Sequence, residues 1–564
     1  MKILLIYPYC LDERIHEGEI RVVPIGLYYV AALLKEHNHD VEILNWHDIH
    51  QTPWKIDEIL TEKRPDILGF SILHANRWGG IEISQIAKRI DPDVKIVFGG
   101  IGATFLWEHL LSHFETIDYV VLGEGEYPFL HLAGCIDTED YHNLGHIRGI
   151  AFRREGTPVR TEDPGLIQDL DTLPDPAKYF VFQHVSSTRG CPWDCAFCGS
   201  PRFWRREVRF HSPDYFVGQL EALYQKGLRF FYFSDDTFTI DKARVIDICQ
   251  EIIARNLEIT WMAISRVNYV NEEVIHWMRK AGCVQISYGV ESGSERIRNR
   301  VLKKNIHTDQ IKKAFDLTTR YGILARAYFI YASPGETWAT IEETLDLIDE
   351  IRPLSIIFYI LDIFPGTSLY DDFLNRSGLN EDIWLDRIED IMYFQTDPLL
   401  SQELVLAFGE RLRKDYYTHL PDSIAKIELV DQKDLYQMHA DFLSRMGMTF
   451  THGDYADNRA IKGKELIAEG LYKKALDYHP DHRAYLGLGI LTQELGRYRE
   501  SIEIMSEAIG HFPQSEPLHI TMGISHMNLG AYKEALSYLL KFKESSQAAD
   551  PIEACYRALG SAHK

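Results

Sequence analysis

The sequence predicts an α/β multidomain protein: an N-terminal doubly wound, Rossmann-like domain, a partial (β/α)6 barrel of TIM type, and C-terminal α-helical repeats. Three observations predict it. Short apolar runs alternate with helical stretches over residues 1–130 and again over 183–370, and such alternation builds parallel sheets. Strand-like runs stop after residue 370. From about residue 459 the chain repeats itself, Leu495-Gly-Arg-Tyr498 returning as Leu529-Gly-Ala-Tyr532 and Gly489 as Gly523, a period of 34 residues.

In the first region, Lys2-Ile-Leu-Leu-Ile-Tyr7 runs into Pro8 as a buried parallel strand does. Helical periodicity follows over Leu27 to Lys35, and further strands fit Val41 to Leu44, Ile67 to Ser71, Val94 to Phe98 and Tyr119 to Leu122. Residues 131–182 read as a connector, with a hairpin of Ile150-Ala-Phe152 and Pro158-Val-Arg160 around Glu155-Gly156. In the second region, strands fit Phe230 to Phe233, Ile259 to Met262, Val284 to Ser287, Ala327 to Ile330 and Ile356 to Ile360. With the one before Cys191 they make six βα units, and such barrels carry their sites at the carboxyl ends of the strands. Residues 371–458 read as a helical extension rich in aromatics such as Trp384, Tyr393, Phe394, Tyr416 and Tyr417, either plain core or a cover over a ring-shaped substrate. Residues 459–564 resemble tetratricopeptide repeats, helix pairs that stack to bury a shared face.

At 564 residues the chain exceeds one core. No apolar run approaches the roughly 20 residues that span a bilayer, and the opening MKILLIYPYC reads as a strand, not a signal peptide. A cytoplasmic protein is expected. The net charge of −23 argues against nucleic-acid binding, which needs basic surface. Arg202-Phe-Trp-Arg-Arg206 is the one local basic run noted, a patch or a solvated loop.

Five of the eight cysteines, Cys10, Cys135, Cys249, Cys283 and Cys555, stand singly, as buried thiols of a reducing compartment do. The other three lie in Thr188-Arg-Gly-Cys191-Pro-Trp-Asp-Cys195-Ala-Phe197-Cys198. Thiolates hold iron–sulfur clusters, usually in fours; with no fourth cysteine nearby, one iron keeps an open position for an exchangeable ligand. Zinc favours paired CxxC or Cys with His. This CxxxCxxC spacing resembles the radical S-adenosylmethionine (SAM) superfamily, over roughly residues 183–370. The resemblance implies that Cys191, Cys195 and Cys198 ligate a [4Fe–4S] cluster, whose open iron chelates the amino and carboxylate groups of SAM. An electron then cleaves the sulfonium to a 5′-deoxyadenosyl radical, which abstracts hydrogen from substrate, in an anaerobic reaction fed by a flavodoxin or ferredoxin. It further implies Phe197 near the adenine, Ser234-Asp235-Asp236 near the methionyl amine, and Glu291-Ser292 near the ribose and carboxylate; the alternatives are a buried loop aromatic for Phe197 and structural salt bridges for Asp235 and Glu291. Ser333-Pro-Gly-Glu-Thr337 and Phe364-Pro-Gly-Thr367 match the family's later loops, although Ala332 stands where relatives often carry glycine.

In the first region, Ser71-Ile-Leu73 ends one strand and Gly99-Gly100 the next, a small hydroxyl and a glycine pair that admit a bulky ligand. This resembles the cobalamin-binding domain, whose Ser-x-Leu and Gly-Gly line the slot for the nucleotide tail. The family's Asp-x-His-x-x-Gly is missing: Asp12 and His16-Glu-Gly18 have the wrong spacing. A cobalt without a protein histidine is therefore expected, with His16 as the alternative. Gly123-Glu124-Gly-Glu126 also recurs in this group and marks the site-facing edge.

The combination implies methylation of an unactivated carbon, with methylcobalamin as donor and a second SAM to remethylate it. The same cofactors also serve cyclisation and rearrangement, and a cobalamin-binding scaffold is the reading from another class. The substrate could be a small molecule, lipid or peptide; the repeats could bind a partner.

Overall fold

The computed structural model describes residues 1–11 and 22–560. Seven strands form the first sheet, in the order β2-β1-β3-β4-β5-β6-β7. They are β1 (Lys2–Pro8), β2 (Asp40–Trp46), β3 (Ile67–Ser71), β4 (Lys95–Gly99), β5 (Tyr119–Val121), β6 (Ile150–Arg154) and β7 (Thr157–Arg160). The first five are parallel, with helices between them, and their apolar runs are buried on both faces. The connector hairpin is present, but it does not stand apart. It joins β5 antiparallel and extends the sheet by two strands, with Glu155 and Gly156 at φ 51° and 81° supplying the positive-φ turn that strand twist favours.

The second sheet has six parallel strands in the order β15-β14-β13-β12-β11-β8. They are β8 (His184–Val185), β11 (Phe230–Phe233), β12 (Thr260–Ser265), β13 (Cys283–Glu291), β14 (Leu324–Tyr331) and β15 (Ser355–Ile360), while β9 (Thr188–Arg189) and β10 (Arg209–Phe210) form a separate antiparallel pair. The order follows the chain, as in a barrel left open between β15 and β8. Along β14 buried residues alternate with half-buried ones: the first set packs on the helices, the second faces the lumen.

Past β15 come the helices Ser368–Ser377, Gln402–Ala425 and Tyr436–Thr451. Trp384 is fully buried and donates to Tyr370 Oη at 2.8 Å; Tyr393 and Tyr416 are buried too. These aromatics are core. Six helices from Lys464–Tyr478 to Ser546–Ala558 complete the chain. Gly489 packs on Met505, and the contact returns one period later as Gly523 on Leu539. Among the described residues no helix is long and apolar enough to cross a membrane.

Candidate functional site: a cleft between two parallel sheets

The carboxyl ends of the two sheets face each other across a cleft of about 1300 Å3. Ser71, Leu73, Gly99, Gly100 and Glu124 line it from the first sheet, Ser234 and Asp236 from the barrel. Seven residues singled out in the sequence thus meet in one cavity.

On the first sheet the fit to a large nucleotide-tailed group rests on absent side chains. A Cβ on Gly99 would meet nothing nearer than 3.7 Å, so packing does not demand glycine there; its absence keeps the cleft floor open. Gly100 differs: at φ 94° its Cβ would lie 2.7 Å from the Ile72 carbonyl oxygen. These residues fit cobalamin. Asp12 and His16 lie outside the described residues.

On the barrel side the cysteine loop follows β9. Gly190 turns the chain at φ 101°, where a Cβ would run into the Glu207 carbonyl oxygen. The three thiols are buried or half-buried and unbridged. Burial pushes Cys191 up and Cys198 up to about 12, with the neighbouring thiols adding to the shift of Cys198; metal binding must therefore displace protons. Among the described residues the three sulfurs do not gather within 4.8 Å of one another. The donor set, three thiols of one loop, fits an iron–sulfur cluster. Arg266, stacked 4.2 Å from the Trp193 ring centre, points Nη1 at Cys195 Sγ at 3.6 Å. Its charge offsets that of the thiolates.

The remaining expected SAM contacts divide. Asp236 lines the cleft, accepts from Ser200 Oγ at 2.6 Å, and is raised by burial. Ser234 Oγ sits 3.0 Å from His184 Nδ1, and burial lowers that histidine to about 4, leaving it neutral. Asp235 turns into the wall, its Oδ1 accepting from Ser187 N, Ser187 Oγ and Thr188 Oγ1 at 3.0, 2.9 and 2.6 Å. It braces the strand that leads to Cys191. Glu291 takes a buried lysine, Lys304, at 2.6 Å, and that ammonium lies 6.0 Å from the Phe197 ring centre. Ser292 Oγ accepts from Ser294 N within its own loop.

Glu124 has a job that the sequence did not disclose. Its two oxygens accept from Arg189 Nη1 and Arg209 Nη1, both at 2.6 Å, and Glu126 takes Arg189 Nη2 at 2.6 Å. One arginine, two residues before the first cluster cysteine, is held by two carboxylates of the other sheet, with Tyr29 stacked 5.1 Å away. The signals were present as Thr-Arg-Gly-Cys and Gly-Glu-Gly-Glu, but nothing in either names its partner. The basic run is neutralised locally: Arg202 pairs with Asp371 and Arg205 with Asp163.

Residues 185–348 match the Radical SAM superfamily and residues 16–133 the B12 binding domain. An uncharacterized methyltransferase of Pyrococcus horikoshii is 32% identical over 442 residues, 74% of this chain and 95% of that protein. An anaerobic magnesium-protoporphyrin IX monomethyl ester cyclase of Rubrivivax gelatinosus is 28% identical, over 66% of this chain and 70% of its own. In fold, the chain is similar to the radical SAM methyltransferase TsrM from Kitasatospora setae with cobalamin and [4Fe–4S] cluster bound, with TM-score 0.60, 16% identity, and 84% of this chain and 99% of that one covered. The cysteine loop, the open-floored sheet edge opposite it and these likenesses agree: the chain belongs to the cobalamin-dependent radical SAM enzymes, with a [4Fe–4S] cluster, SAM and cobalamin as its cofactors.

Proposed function

We propose that the protein methylates an unactivated carbon of an organic substrate in the cleft. The observation that carries this reading is the single cavity shared by Ser71, Leu73, Gly99 and Gly100 on one wall and by Ser234 and Asp236 on the other. When bound, the cluster with SAM supplies a hydrogen-abstracting radical, and cobalamin supplies a methyl carrier. Cys191, Cys195 and Cys198 hold the cluster, with Arg266 beside Cys195 offsetting its negative charge. Asp236 presents a carboxylate to the methionyl ammonium. Phe197, with Lys304 above it, forms part of the adenine wall. The clamp of Glu124, Glu126 and Arg189 fixes the distance between the two walls, and proximity sets which carbon reacts.

The setting is the cytoplasm, where none of the eight cysteines is bridged to another, and a flavodoxin or ferredoxin delivers the electron. The helices from Lys464 onward act as tetratricopeptide-like repeats that receive a partner.

The test is anaerobic. The protein is reconstituted with iron, sulfide and cobalamin, given SAM, reductant and cell extract, and its products are followed by mass spectrometry. Methylation requires both 5′-deoxyadenosine and S-adenosylhomocysteine, the first being lost in Cys191→Ala. If 5′-deoxyadenosine accumulates alone, the second reading takes over: a cyclase or rearrangement enzyme, favoured by the likeness to the Rubrivivax gelatinosus protein.

A further inference from the structure

Below the cleft, further cavities lie against the barrel strands. Ser234 lines both the cleft and a second cavity of about 570 Å3 inside the strands, walled by His184, Tyr232, Ser287 and Tyr328. Met262 and Gln285 line that cavity and also a third, of about 1120 Å3, at the amino-terminal mouth of the barrel. The shared residues stack the three spaces along one axis. At about 3.3 Å per strand residue, the four steps of chain from Ser234 to Phe230 at the lower cavity cover about 13 Å.

The walls change character on the way down. The middle cavity is aromatic and polar but uncharged at neutral pH, with His184 stacked on Tyr232 at 4.4 Å between ring centres and held neutral by burial. The lowest is ringed by guanidinium groups. Arg326 comes from β14, Arg279 from helix Glu272–Lys280, Arg445 from helix Tyr436–Thr451 and Arg483 from helix His482–Glu494. Two carboxylates face them, Asp441 and Asp454. Asp441 alone serves three arginines: Arg445 Nε at 2.8 Å, Arg483 Nη1 at 3.1 Å and Arg279 Nη2 at 3.0 Å. The side chain of Arg326 makes one hydrogen bond among the described residues, from Nε to Ser355 Oγ at 3.0 Å. Four cations thus stand against two anions, in a chain whose net charge is −23. Arg279 is buried and Arg445 and Arg483 are 37% and 31% exposed; gathering guanidinium groups where water is partly excluded is unfavourable unless an anion completes the set, and the planar fork of arginine suits the paired oxygens of a carboxylate or phosphate.

We propose that the substrate is an elongate molecule with an anionic end. Its carboxylate or phosphate sits among Arg326, Arg445 and Arg483, its apolar body fills the lumen, and its far end reaches Ser234 beside the cluster loop. The helices after the barrel then form the floor of the substrate site and set its length. This rests on the methylation reading only for what happens at the Ser234 end; anion binding at the floor stands independently.

The test measures binding without turnover. Reconstituted full-length protein, given no SAM and no reductant, is titrated calorimetrically with decyl phosphate, decanoate, decanol and inorganic phosphate. At least one ten-carbon anion binds about tenfold or more tighter than decanol and than inorganic phosphate, and the better of the two names the head group. Arg326→Gln and Arg483→Gln each erase the advantage over decanol, and Arg326→Lys restores part of it, which separates lost recognition from misfolding. Equal affinity for decanol and both anions, or an advantage that survives Arg326→Gln, overturns the proposal. Inorganic phosphate binding as tightly as decyl phosphate overturns the elongate body. Absence of S-adenosylhomocysteine in the product assay changes none of these readings.

Discussion

Both parallel sheets need left-handed backbone where their strands give way to the site, and they obtain it differently. After β4 the first sheet uses Gly100, at φ 94°; at the ends of β13 and β14 the barrel uses Glu291 and Ala332, at φ 69° and 63°. The first sheet lacks side chains at this edge, which leaves its backbone open to a nucleotide-tailed group. The barrel instead presents side chains at its strand ends, namely thiols, carboxylates and a buried arginine, and tolerates strain because surrounding contacts over-determine it. Glu291 is held by Lys304, and Ala332 is fully buried in the core. One wall makes room and the other supplies charge; the arginine clamp is where they are joined.

Breaking the join should have the largest effect. Arg189→Met leaves Glu124 and Glu126, both under 5% exposed, with one charge partner fewer or none, and removing one member of a buried ion pair costs about 3–5 kcal/mol. A lower denaturation midpoint is expected, together with 5′-deoxyadenosine formed without methyl transfer in whatever fraction stays folded. An unchanged midpoint would mean that the two walls are set by something else.

The glycine pair sharpens the contrast within one strand end. Gly100→Ala forces a Cβ against the Ile72 carbonyl in a disfavoured conformation, at roughly 2 kcal/mol. Gly99→Val should leave the melting temperature near the parent's and weaken cobalamin binding by about tenfold or more, read from the absorbance of bound cobalamin. If Gly99→Val keeps its cobalamin, the floor at Gly99 is not where that group rests.

The smallest effect tests tolerated strain. Ala332→Gly relieves the left-handed alanine and gives back some backbone entropy, for a net gain of roughly 0.5–1 kcal/mol. A loss of stability would show that the Ala332 methyl is worth more in the buried core than its backbone strain costs.

Much of the site was legible because it is local. The thiol triad spans eight residues, and Ser71, Leu73, Gly99 and Gly100 sit at strand ends that hydrophobic runs announce. Residue type and short-range position were enough to bring those four to one cavity with Glu124, Ser234 and Asp236. Burial and partners were not legible. Asp235 and Glu291 each read as a SAM ligand or a structural ion partner; Asp235 braces Ser187 and Thr188, Glu291 pairs with Lys304, and Glu124 pairs with two arginines. A carboxylate at a strand end reads the same whether it faces a cofactor or an ion partner.

By itself the sequence announced the parallel strands of both sheets, their order along the chain and a thiol triad with the spacing of cluster ligands, since strand periodicity and cysteine spacing are written within a few residues of each other. Only the tertiary structure decided which charges meet. Arg189 and Glu124 are 65 residues apart and Arg209 and Glu124 are 85 apart, and the lumen arginines come from four separate elements. No periodic signal links such groups, because their contact exists only once the sheets and helices between them have packed.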